Sequence, residues 1–163
     1  MKTWGKVLLV TLVLAIPAFL TGPIIWPPAE GGPAPTAGQL PFFIFLAVAE
    51  AITLGLGVSF LLFGMPVVRR MSAGSKLRAW AMYLSIGWLM VSWWPHNNLH
   101  MHNGMDLQGL LYIEYGFHLT LMVTGIVLGY CFLWLVSERE QAGPSAGPVG
   151  VEGAVTAESP ARV

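Results

Sequence analysis

Charge is what this sequence has least of. Eight Lys and Arg and eight Asp and Glu stand in 163 residues, a formal net charge of zero. Sparse, balanced charge excludes a nucleic-acid partner, because phosphate binding needs a basic surface. Cysteine is almost missing as well. With Cys131 alone, neither an internal disulfide nor a cysteine-based zinc finger can form, and in its apolar run this thiol acts as a small hydrophobe. There is no H-E-x-x-H zinc signature, no C-x-x-C-H for covalent haem and no internal repeat.

What the chain has is apolar length. Hydrophobic residues make up 55% of it, with seven Trp, which is membrane rather than soluble composition. Four stretches, about 7–26, 41–64, 77–94 and 109–136, reach or approach the roughly 20 helical residues that cross a hydrocarbon core. The expected fold is therefore an all-α membrane protein, a four-transmembrane-helix bundle over 1–136. A short His-rich extracytoplasmic loop or helix joins helices three and four. Pro17 removes a backbone donor from the first span and should kink it. That span, preceded by Lys2 and Lys6, also has the outline of a signal peptide; its apolar character through Trp26 favours a retained helix. Beyond Val136 the sequence becomes rich in Gly, Pro, Ala and Ser without periodicity, and 137–163 is expected to be a disordered cytoplasmic tail.

Orientation follows from the cations. Lys2, Lys6, Arg69, Arg70, Lys76, Arg78, Arg139 and Arg162 all fall on one side of a four-span chain. The positive-inside rule makes that side cytoplasmic. Both termini are then cytoplasmic, in a plasma or inner membrane, and the histidine segment lies outside. Partners are the lipid bilayer and, as an expectation, other membrane subunits or a second copy of the chain.

The histidines are gathered in WWPHNNLHMHNG, residues 93–104, with His118 close behind. Pro95 either ends the third span or opens a short new helix, and Asp106 suits the N-cap of the fourth. If 96–103 is helical, His96 and His100 share a face one turn apart while His102 points elsewhere; if extended, His100 and His102 pair. Glu114 and His118 are spaced i, i+4, on a face that would continue through Leu121, Gly125 and Gly129 as a small-residue seam. Glu50 interrupts the second span on a face with Ala47, Thr53, Gly57 and Gly64. At roughly 1.5 Å per residue its depth resembles that of His118, its expected partner.

Imidazoles and carboxylates in this number point to a transition metal, with His96, His100, His102, Glu114, His118 and Glu50 as candidate ligands. Met101 and Met105 nearby tilt the choice to copper, ahead of iron or zinc, because thioether is a ligand for Cu(I). Redox chemistry, metal handling and transport all remain open, as does whether the chain is an enzyme. Two alternatives stand beside this reading. One is a b-haem electron-transfer subunit with His96 and His118 as axial ligands. The other is a non-catalytic small subunit or assembly factor whose polar residues serve as interhelical glue.

Overall fold

Proline, glycine and capping residues cut the apolar sequence into helices. The computed structural model describes residues 2–30 and 34–141, and among these there is no strand. Of the tail expected over 137–163, residues 137–141 are helical instead, continuing the last helix, and the remainder, with Arg162, lies outside the described residues. Helix α1 (Thr3–Ile25) runs unbroken through Pro17 and Pro23. Helix α2 (Leu40–Phe63) opens with Pro41 in its first turn, where a missing N–H costs nothing. After the short α3 (Met65–Met71), Ala73 and Gly74 turn the chain with positive φ, and the Ser75 hydroxyl caps α4 (Lys76–Val91) by accepting from the Arg78 N–H. Helix α5 (Trp93–Asn103) follows. Asp106 then caps α6 (Leu107–Ile113) through the Gln108 N–H, as its side chain suggests. A π-helical turn, Glu114–His118, links α6 to α7 (Leu119–Gln141).

Three of these segments are long and apolar enough to cross a membrane: Thr3–Ile25, Leu40–Phe63 and the continuous Leu107–Glu138. The expected third span differs. Helix α4 has 16 residues, short of the roughly 20 that a crossing needs. Yet the helix does not stop at Pro95. The Ser92 N–H bonds the Trp88 carbonyl and the His96 N–H bonds the Ser92 carbonyl, so α4 and α5 form a nearly continuous rod with Pro95 in the first turn of its second half. The histidine segment is thus helical rather than a loop.

Neighbours follow chain order: α1 packs on α2, α2 on α4 and α5, and α4 on α7. Small residues set the approach. A Cβ on Gly55 would meet the Thr11 carbonyl oxygen at 2.4 Å, so only glycine lets α1 and α2 come this close. Thr11 and Ser59 bond across the same seam at 3.2 Å, and the Ser59 hydroxyl also reaches the Val7 carbonyl. At the far end of α4 a core of Val68, Ala79, Met82 and Cys131 ties α3, α4 and α7, with the Arg78 guanidinium over the Trp134 ring. Large apolar side chains such as Leu12, Ile16, Phe42, Leu62 and Ile126 face outward, as lipid-facing residues do.

One expected seam is absent. Gly125 and Gly129 are exposed, and nothing lies within 4 Å of a Cβ built on either. The π turn explains why: one extra residue rotates everything after it by roughly 100°, and Thr124 and Cys131 face inward instead.

Candidate metal centre

Helix α5 and the π turn build the centre together. In helical form α5 carries His96 and His100 on one face, and their Nε2 atoms lie 3.1 Å apart. Across from them the π turn delivers His118, whose Nε2 comes within 2.8 Å of His96 Nε2. Its defining bond runs from the Leu119 N–H back to the Glu114 carbonyl, five residues earlier. Single π turns inside helices are frequent at functional sites because they re-aim one side chain.

Ligand atoms of all three imidazoles lie within 4.8 Å of one another, a triad that could hold a metal ion. A metal with M–N bonds of about 2.0–2.1 Å holds tetrahedrally placed nitrogens about 3.3 Å apart, so the cluster is close to ligand spacing already. Hydrogen bonding alone does not satisfy it. Each Nε2 has one in-plane position, holding either a proton or a lone pair. His96 Nε2 faces both neighbours and can pair with only one of them fully. An electrophile at the centre would engage all three lone pairs at once.

Surroundings fix the protonation that such a role needs. The Glu114 carboxylate lies 2.5 Å from His118 Nδ1 and accepts a hydrogen bond from it, which in the neutral ring puts the lone pair on Nε2. This is the carboxylate–histidine arrangement that orients metal-ligating imidazoles. His96 is buried, 7% exposed, against Trp93 and Phe117. Burial, followed by the neighbouring His100 and His118, pushes its pKa down to about 4, so it is a neutral base at physiological pH. Its Nδ1 is buried with no hydrogen-bond partner among the described residues. Phe117 also stacks on Trp88, whose indole N–H donates to Thr120, bracing the π turn against α4.

The remaining candidates sit elsewhere. His102 points away from the triad, with Nδ1 2.8 Å from the Pro27 carbonyl oxygen. Glu114 acts on His118 rather than standing among the three converging nitrogens. Glu50 accepts a 2.9 Å hydrogen bond from Asn97 and lines a groove that contains none of the three imidazoles. Since Asn97 adjoins His96, Glu50 and His118 stand at one level but against different faces of α5. Met101 and Met105 are exposed, and both line a pocket with His100. The π turn and Asn97 were not anticipated; the Gly116 in EYGFH, a poor helix former, is the one local hint of the former. Comparison with known proteins finds no match: no family model, no curated protein and no solved structure is similar to this chain.

Proposed function

We propose that this chain is a four-span membrane protein that binds copper through His96, His100 and His118, with Glu114 orienting His118. The convergence of three Nε2 atoms, two pairs of them at 2.8 and 3.1 Å, carries the reading. Three protein ligands leave a fourth position open, the pattern of reactive rather than purely structural centres. That position suits redox chemistry or transfer of the ion to a partner. Copper is preferred over iron and zinc because divalent affinities at nitrogen sites peak there. Met101 and Met105, which line a pocket with His100, offer thioethers of the kind that suit Cu(I).

Haem is disfavoured by the same geometry. Axial nitrogens on opposite faces of an iron porphyrin stand about 4 Å apart, twice a metal–nitrogen bond, whereas His96 and His118 are 2.8 Å apart and share their centre with His100.

For the fourth crossing we propose α4 continued through Trp94, with the imidazoles beyond its outer end. Arg69, Arg70, Lys76 and Arg78 mark the opposite, cytoplasmic end, and both termini lie on that side. The half-exposed Glu114–His118 edge is where a second copy or another subunit would lie.

Elemental analysis of the full chain, extracted in mild detergent from copper-replete cells, tests the reading. We expect about one copper per chain, nitrogen hyperfine structure in the Cu(II) EPR spectrum, and loss of the metal in His96→Ala and His100→Ala. Protein that stays metal-free after exposure to copper, iron and zinc would overturn metal binding; retention of zinc alone would overturn copper.

A further inference from the structure

A second site lies on another face of α5. A groove of about 270 Å³ opens between α1, α2 and α5, walled by Phe19, Phe43 and Trp94, with Glu50 and Asn97 among its lining residues. Its polar groups are biased. Asn97 Nδ2 donates to one Glu50 oxygen at 2.9 Å, and Asn98 Nδ2 donates to the Trp94 carbonyl at 2.7 Å. Asn98 Oδ1 lies over Gly22, so close that a Cβ there would stand 2.8 Å from it. The second Glu50 oxygen and Asn98 Oδ1 remain as acceptors without a bonded donor among the described residues. Both residues line the groove, so an occupant with a donor on an apolar body would find an acceptor there.

Depth and shape narrow the class. Glu50 meets Asn97 at the outer end of the proposed crossing, and at that interfacial depth an aromatic ring with one polar hydroxyl partitions well, as Tyr and Trp side chains do. The volume is just below the roughly 300–1,000 Å³ of sites that enclose whole small molecules, enough for one ring with a tail left in lipid. Aromatic walls favour a flat ring. We infer that this groove binds a membrane-dissolved hydroquinone or related phenol, its ring against Trp94 and Phe43 and a hydroxyl donating to Glu50. The inference shares no residue with the metal triad and does not depend on it.

The test titrates the full chain in nanodiscs, without oxygen, with a short-tailed benzohydroquinone, read by quenching of tryptophan fluorescence. Wild type should quench saturably. Glu50→Ala should weaken binding about tenfold, the equivalent of one lost hydrogen bond of about 1.4 kcal/mol. Ala47→Leu, which fills the groove with a good helix former and leaves Glu50 in place, should weaken it similarly. The matching quinone, which lacks the hydroxyl donor, should bind about tenfold more weakly, while His96→Ala should bind hydroquinone as wild type does. Quenching that never saturates, or that is equal in wild type, Glu50→Ala and Ala47→Leu, would overturn the site; a quinone that binds as tightly as the hydroquinone would overturn the donor argument.

Discussion

His118 is gripped at both ring nitrogens, and the two contacts differ in consequence. The Glu114 bond at Nδ1 decides which nitrogen keeps its lone pair, whereas the contact at Nε2 is the one a metal would replace. Removing the carboxylate should therefore lower affinity without removing a ligand. We expect Glu114→Ala to bind copper about 10–100-fold more weakly in competition with a chelator, and Glu114→Gln to lose less because its amide oxygen still accepts. His102→Ala should bind as wild type, since His102 is engaged with Pro27; a large loss there would mean that the triad is not the site. His96 makes a second residue-scale prediction. Unfolded, its imidazole titrates near 6.5, and in the fold it is held to about 4. Between those values the unfolded chain takes up a proton that the folded chain refuses, so metal-free protein should lose stability as pH falls from about 6.5 towards 4. Above 6.5 this group has no effect. Thermal midpoints in detergent, compared with His96→Asn, should show a flatter pH dependence for the variant; equal slopes would remove His96 as the cause.

Helices were legible where local spacing decides and obscure where packing decides. The i, i+4 pair His96/His100 depends only on helical period and meets in space; Glu114 and His118 meet as well, but across a π turn that their spacing does not announce. The partner expected for Glu50 depended on helix placement, which one chain's hydropathy does not encode, and Asn97 took that position. The π turn also escapes a periodicity argument, because apolar patterns are read at 3.6 residues per turn and the extra residue appears only when α6 packs on α5 and α7 on α4. Two substitutions separate these cases. Gly55→Ala places a methyl against the Thr11 backbone and should cost about 1–3 kcal/mol as the helices are forced apart, whereas Gly129→Ala meets nothing and should be neutral or gain up to about 1 kcal/mol from helix propensity. Deleting Gly116 should turn the π turn into ordinary helix and rotate His118, together with α7, relative to α6 and Glu114. Metal content should then collapse while helicity by circular dichroism is preserved. Retained metal would show that the π turn does not aim His118.

For the whole molecule, the α4–α5 rod sets how often the chain crosses the bilayer. Hydropathy marks three segments; the α4–α5 rod differs from them, because α4 alone is short and α5 is polar. Three crossings would put the α3–α4 turn and the α5–α6 turn on the same side, and the imidazoles would then share the compartment of Arg69 and Lys76. Four would separate them. Gly38, Leu77 and Met105 are exposed positions before α2, at the start of α4 and after α5, and the buried Cys131 can be replaced by Ser to remove background. In the four-span arrangement a membrane-impermeant maleimide reaches Gly38→Cys and Met105→Cys from outside intact cells, and Leu77→Cys only after permeabilisation. Labelling of Met105→Cys that tracks Leu77→Cys would place the triad on the cation side. Copper would then have to be supplied from the cytoplasm, and the rod would be a helix lying against the bundle rather than a crossing.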